Sequence, residues 1–119
     1  GGDGVVSEGV LSRINSITKE DISNNRLGGK DRYDTNARVI DRFFDGYVDS
    51  MYLAKGLTLV DGLTSGVTAA LDGVPVILMD NNLSYEQEQV LQPMSTVRIT
   101  QVGGGILEDG IQKLLEIVK

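Results

Sequence analysis

Residues 26–35, with the sequence RLGGKDRYDT, hold two glycines, three cations, two acids and a tyrosine between a short apolar segment and an amphipathic helix. Glycine and aspartate favour turns, and aspartate also favours the first position before a helix. We therefore predict that this stretch is a recognition or docking turn that follows one strand and leads into the next helix.

Segments of strand and helix character alternate along the rest of the chain. Alternation of this kind predicts a parallel sheet of about four strands with helices on both faces, a three-layer α/β fold like that of Rossmann and Toprim domains. The predicted strands are residues 25–28, 50–54, 75–79 and 97–102. The predicted helices run from Ser7 to Ile17, from Asp31 or Asp34 to Phe44, from Val60 to Leu71 with Gly73 at the end, from Ser84 to Leu91, and from Glu108 to Val118.

The segment VPVILM at residues 74–79 is continuously apolar. A strand of a parallel sheet covered on both faces has this character. We expect Val76, Ile77 and Leu78 to be among the most buried residues.

Composition restricts both the architecture and the chemistry. A chain of 119 residues with 40% hydrophobic content is expected to form one compact domain. The absence of cysteine and histidine excludes disulfides, thiolate sites and the usual general base and zinc ligand. No catalytic residue, metal site or cofactor is expected. No apolar run reaches the roughly 18 residues of a membrane span, and no leader peptide is expected within these residues.

The charge is distributed unevenly along an acidic chain. The net charge is −6, but the segment from Arg26 to Arg42 is +2 and the remainder is −8. A net negative charge disfavours unspecific attraction to nucleic acid, which needs a basic surface. An anionic ligand would therefore bind at the cationic segment, unless these charges only form local ion pairs along a solvated helix face.

An internal repeat suggests how the chain is divided. Residues 1–10, GGDGVVSEGV, resemble residues 103–111, GGGILEDGI, with one residue inserted, and a helical pattern follows both. We predict that residues 1–24 are the tail of a preceding repeat, or the first helix of a truncated unit. Residues 25–119 then form one repeat.

Four blocks in order resemble the type 2 cell wall binding repeat of clostridial surface-layer and cell wall proteins. They are RLGGKDRYDT, Asp61 of a D-A-L block in which Gly62 replaces alanine, PVILM, and Val102-Gly103-Gly104. The resemblance implies an extracellular, non-catalytic module that binds an anionic cell-wall polysaccharide. It also implies tandem copies, usually three, that pack as a pseudo-trimer.

The resemblance assigns two groups of residues. The expected ligand-binding residues are Lys30, Arg32, Tyr33, Thr35 and Asp61. The expected motif and core residues are Arg26, Gly29, Asp31, Ile77, Leu78, Gly103 and Gly104.

Other interpretations remain open from the residues alone. The turn at Lys30–Thr35 can be a capping turn in which Asp31 caps the helix, Asp34 complements its dipole and Arg32 bridges to a neighbouring unit. The chain can also be an enzyme or receiver-like domain that binds a phosphorylated small ligand at the strand ends. A purely structural unit that joins neighbouring copies is a third possibility. The three glycines at 103–105 lack a phosphate-binding spacing and favour a tight turn.

Overall fold

The computed structural model describes residues 1–118, apart from the side chain of residue 59. The helices are α1 (Glu8–Thr18), α2 (Arg32–Phe43), α3 (Leu59–Asp72), α4 (Tyr85–Leu91) and α5 (Glu108–Ile117), with a short 3₁₀ turn at Ser23–Asn25. The strands are β1 (Tyr47–Val48), β2 (Met51–Lys55), β3 (Val76–Met79), β4 (Ser95–Thr96) and β5 (Ile99–Val102). The predicted α/β fold with parallel strands is confirmed.

The main sheet has three parallel strands in the order β3-β2-β5, so β2 is central. Leu53 of β2 is in register with Ile77 of β3 and with Gln101 of β5. A separate two-stranded parallel pair joins β1 and β4. Because all strands of the main sheet run the same way, their carboxyl ends and the loops that follow them lie along one edge.

One face of the main sheet forms the core. Met51, Leu53, Ile77 and Met79 lie on this face and are at most 1% exposed. Helices α2, α4 and α5 supply Ile40, Leu91 and Leu114 to the same cluster of buried residues. Helix α3 packs on the opposite face, where the Cβ of an alanine at Gly62 would lie 3.3 Å from the Leu78 side chain.

The helix starts follow from their capping residues. Ser7 caps α1 and Ser84 caps α4, where Gln87 completes a capping box. Asp31, rather than Asp34, caps α2 by accepting hydrogen bonds from the backbone of Tyr33 and Asp34. Helix α3 ends at Gly73, which has a φ of 67°, as the Asp-Gly pair predicts.

The prediction of a first strand at residues 25–28 is wrong. Ser23–Asn25 form a 3₁₀ turn, and the residues that follow pair with no strand among the described residues. The amide of Asn36 instead covers the open edge of β3, donating to the Val76 carbonyl at 2.8 Å and accepting from the Leu78 N–H at 3.0 Å. Gln87 donates to the Leu78 carbonyl at 2.7 Å. Two side-chain amides thus occupy the place expected for a fourth strand.

The expected burial of residues 76–78 is only partly correct. Ile77 is fully buried, but Val76 and Leu78 are half-buried because they point to the α3 face near the sheet edge. The strand predicted at 97–102 is also shorter, because β5 begins at Ile99. No helix among residues 1–118 is long and apolar enough to cross a membrane.

Candidate functional site

An open cleft of about 650 Å³ lies beside the glycine-rich turn before α2. The cleft is lined by the N-terminal residues Gly1, Gly2, Gly4 and Val5 and by Gly29, Lys30, Asp31, Arg32, Thr35, Asn36, Val39 and Leu78. The structure therefore brings three of the five predicted ligand-binding residues, Lys30, Arg32 and Thr35, to the same cleft.

Hydrogen bonds within the turn fix its shape. Asp34 accepts the Lys30 N–H at 2.9 Å, and the Thr35 hydroxyl accepts the Gly29 N–H at 2.9 Å and donates to the Asp31 carbonyl at 2.8 Å. The Lys30 N–H, followed by the Arg38 guanidinium, holds the pKa of Asp34 below its usual value. A Cβ at Gly29 would lie 2.3 Å from an Asp34 oxygen, so this position requires glycine. The Thr35 hydroxyl therefore both accepts and donates a hydrogen bond within the turn.

Arg32 and Tyr33 tie the start of α2 to the ends of β2 and β3. Arg32 donates to the Gly56 carbonyl at 2.7 Å, and the Tyr33 hydroxyl donates to Asp80. Asp80 also accepts the Leu57 N–H at 3.1 Å. Burial, together with the hydrogen bond to Asp80, raises the pKa of Tyr33 to about 12. The Tyr33 ring covers Gly56, where a Cβ would lie 2.5 Å from a ring carbon.

Lys30 lies at the exposed rim of the cleft, with 64% of its side chain exposed. It forms an ion pair with Glu86 of α4, which raises the pKa of Lys30 and lowers that of Glu86. An anionic ligand at Lys30 would therefore compete with a carboxylate that is already present. Arg32 forms no ion pair among the described residues, and a guanidinium with five N–H donors keeps donors free beside the Gly56 carbonyl.

Asp61 and the loop at 103–105 lie apart from the cleft. Asp61, in the first turn of α3, places its carboxylate against Gly103, where a Cβ would lie 2.1 Å from an Asp61 oxygen. Gly103 also has a φ of 78°, so both space and backbone require glycine here. A Cβ at Gly104 would meet no atom within 4 Å. Asp61, Gly103 and Gly104 therefore form a second group of predicted residues on the same edge of the sheet.

The contacts of several residues of this edge were not predicted from the sequence. Lys55 ends β2 with its ammonium beside Gly105, and no carboxylate among the described residues forms an ion pair with it. Asp80 is the hydrogen-bond partner of Tyr33, and Glu86 is the ion-pair partner of Lys30. The roles of Lys55, Asp80 and Glu86 depend on contacts between distant segments. Gln87, which bonds to the edge of β3, differs, because the Ser84-x-x-Gln87 spacing is the local signal of a capping box.

The model of the family described as cell wall binding domain 2 matches residues 26–108. The match covers well over half of the chain and begins at Arg26, the first residue of the glycine-rich turn. The chain belongs to the CWB2 family. It is accordingly a cell wall binding module.

Two solved structures resemble the CWB2 chain over nearly all of its length. Cwp8 from Clostridium difficile aligns with a TM-score of 0.81 and 33% identity over 98% of this chain. Cwp6 from the same organism aligns with a TM-score of 0.87 and 29% identity over 99% of this chain. The CWB2 chain spans only 21% and 19% of those two chains. No curated protein sequence matches it.

Proposed function

We propose that this CWB2 chain is a non-catalytic module that anchors an exported protein to an anionic polysaccharide of the cell wall, outside the cell. The observation that carries the proposal is the cleft beside the turn at 26–35, which Lys30 and Arg32 line in a chain of net charge −6. An acidic module can attract an anionic polymer only where its cations are concentrated and its acids are engaged. Asp31 and Asp34 are engaged, because both accept hydrogen bonds from backbone N–H groups.

Within this site we expect Arg32 to contribute more to affinity than Lys30. Arg32 has a planar fork suited to carboxylate or phosphodiester oxygens, and its bond to Gly56 fixes the position of the fork. Lys30 is exposed and paired with Glu86, so its net attraction for an anion is reduced. Tyr33 and Thr35 position these cations through the contacts that hold the turn.

The first test is Arg32→Ala in a binding assay with purified wall polysaccharide. We expect affinity to fall by about 1–3 kcal/mol, the usual range for losing a charge-assisted contact. Binding should also weaken as salt increases, because contacts at an exposed rim are screened over about 10 Å at 0.1 M salt.

Arg42→Ala is the matched control, because Arg42 is an exposed arginine at the far end of α2. If Arg32→Ala lowers only the melting temperature and the folded fraction binds normally, Arg32 is a packing residue and the proposed site is wrong.

A second variant tests the site in the opposite direction. Glu86→Gln removes the carboxylate that pairs with Lys30 and should strengthen polysaccharide binding several-fold at low salt. The gain should disappear in the double variant Glu86→Gln with Lys30→Gln. Equal binding by the Glu86→Gln variant and the unmodified chain would place Lys30 outside the site.

We also propose that the chain is one repeat of a tandem array of three that packs as a pseudo-trimer. The resemblance between residues 1–10 and 103–111 supports neighbouring copies. Helix α3 supports an interface, because Val60, Leu63, Val67 and Leu71 form a stripe along it and are 68–83% exposed. Apolar stripes of this kind are uncommon on the free surface of a monomer.

The alternative of a phosphorylated small ligand at the strand ends is favoured by one observation, the ammonium of Lys55 beside Gly105. The carboxylate of Asp61 lies against Gly103 of the same loop and opposes an anion there. Titration with inorganic phosphate and with nucleotides distinguishes the two functions. Heat of binding to either that is lost in Lys55→Gln would favour the alternative.

A further inference from the structure

Arg26, the first residue of the glycine-rich turn, directs its guanidinium toward the N-terminal tail. It donates to the Gly1 carbonyl at 2.9 Å and to Glu8 at 3.1 Å, and its Nε lies 3.3 Å from Asp3. Only 17% of the Arg26 side chain is exposed. Every polar partner that the described residues give Arg26 therefore belongs to residues 1–8.

Helix α1, which follows this tail, buries little apolar surface, and its other polar support is local, from the Asn15 side chain to residues 21–23. Leu11 is its single buried residue within the described chain, whereas Val10 and Ile17 are 47% and 73% exposed. Helix α5, which follows the corresponding glycines at 103–105, buries Gly110 and Leu114. An element with so few apolar contacts depends strongly on its polar ones. Arg26 is thus well placed to decide whether α1 stays docked.

We propose that Arg26 is a junction residue that receives the glycine-led tail of the preceding repeat. In the register of the internal resemblance, Gly1 corresponds to Gly103 and Glu8 corresponds to Asp109. The carbonyl of Gly103 and the exposed carboxylate of Asp109 are therefore the groups that this chain offers to the arginine of a following repeat. The partner is a second repeat of the same family, which binds these groups through the arginine at the start of its own glycine-rich turn.

The junction also completes the cleft. Gly1, Gly2, Gly4 and Val5 line it together with Lys30 and Arg32 and form its N-terminal wall. Glycines in that wall let a ligand approach the backbone closely. The polysaccharide site is then shared between two consecutive repeats, a step that rests on the proposed polysaccharide binding, whereas the role of Arg26 at the junction rests only on the proposed tandem repeats.

The experiment compares Arg26→Gln with the unmodified 119-residue chain by amide hydrogen exchange. We expect exchange in α1 to accelerate about tenfold, which corresponds to about 1.4 kcal/mol, while β2 and β3 keep their rates. The control is Arg42→Gln, which removes an exposed arginine from the last turn of α2 and should leave α1 unchanged. The variant Asp3→Asn removes a partner of Arg26 that lies in the tail, outside α1, and should accelerate exchange in α1 in the same direction.

The outcomes separate the two steps. Exchange in α1 that stays within twofold of the unmodified chain in both the Arg26 and tail variants overturns the junction. If Arg26→Gln destabilises the whole chain, the tail variant decides, because it leaves residues 26–118 intact. A released α1 with unchanged polysaccharide affinity supports the junction and overturns the shared site. If the unmodified chain does not bind polysaccharide, the proposed function and the shared site fail together, and hydrogen exchange still judges the junction.

Discussion

The two faces of the three-stranded sheet are covered in opposite ways. On the core face, α2, α4 and α5 direct large apolar side chains toward Met51, Leu53, Ile77 and Met79. On the other face, α3 turns its small residues toward the sheet and its large ones away. The small residues are Gly62, Ser65 and Ala69, and the large ones are Val60, Leu63, Val67 and Leu71.

This difference separates folding from assembly. The core face already excludes water and gains nothing from a partner. The close approach of α3 leaves four large side chains exposed, and burying apolar surface contributes roughly 25 cal/mol per Å². Free energy is still to be gained on the α3 face, which is consistent with its proposed role as the contact between repeats.

The largest expected effect comes from two neighbouring residues on opposite faces. Ile77→Ala should destabilise the fold by about 2–5 kcal/mol, because Ile77 is fully buried in the core cluster. Val76→Ala should cost less than half as much, because Val76 is half-buried on the α3 face. Urea unfolding of both variants measures the difference. Equal costs would show that the two faces are equally packed.

The next effect concerns association rather than folding. Leu63→Gln with Val67→Gln should weaken self-association of the chain at least about tenfold, because apolar surface no longer leaves water when copies meet. Unfolding free energy should change by no more than about 0.5 kcal/mol, as is usual for exposed positions. Sedimentation over a range of concentrations gives both the stoichiometry and the affinity. Val97→Gln is the control, because Val97 is 78% exposed and lies outside α3. An unmodified chain that remains monomeric at high concentration would contradict the proposed interface.

The sequence predicted the elements whose signals are local. Caps at Ser7, Asp31 and Ser84 and the end of α3 at Gly73 follow from single residue types at fixed positions. Short apolar segments also predicted the three strands of the main sheet. The missing first strand shows the limit of this approach, because the edge of β3 is closed by Asn36 and Gln87 from two different helices. Nothing within residues 25–28 reveals that competition.

The position of the candidate site could be predicted from the sequence, but the contacts between its side chains could not. The charge pattern and the motif both indicated the turn that lines the cleft. The contacts of Lys30 with Glu86 and of Tyr33 with Asp80 join residues 56 and 47 positions apart. The role of such residues depends on how the helices and strands are placed in space, which periodicity does not specify.

A smaller effect should distinguish the helices of the two faces at their N-termini. Asp31→Ala should cost about 1 kcal/mol, because the Asp31 carboxylate accepts two backbone N–H groups at the start of α2. Thr58→Ala, at the equivalent position of α3, should change stability little, because the Thr58 side chain makes no capping hydrogen bond. Thermal unfolding compares the two. A larger loss of stability in Thr58→Ala than in Asp31→Ala would show that α3, and not α2, depends on its capping side chain.

The smallest effect is absent at neutral pH and appears only in alkali. Tyr33 has a folded-state pKa of about 12, above its ordinary value of 10.0, so the unfolded chain loses this proton first. The stability that Tyr33 contributes is therefore complete below about pH 10 and is lost as the pH rises toward 12. On the α3 face, the hydrogen bond to Asp72 at 2.8 Å also raises the pKa of Tyr52, but this bond is exposed to solvent. Tyr33→Phe should consequently flatten the dependence of unfolding free energy on pH between 10 and 12 more than Tyr52→Phe does. Urea unfolding at several pH values measures both slopes, and a greater flattening in Tyr52→Phe would show that the tighter tyrosine contact lies on the α3 face.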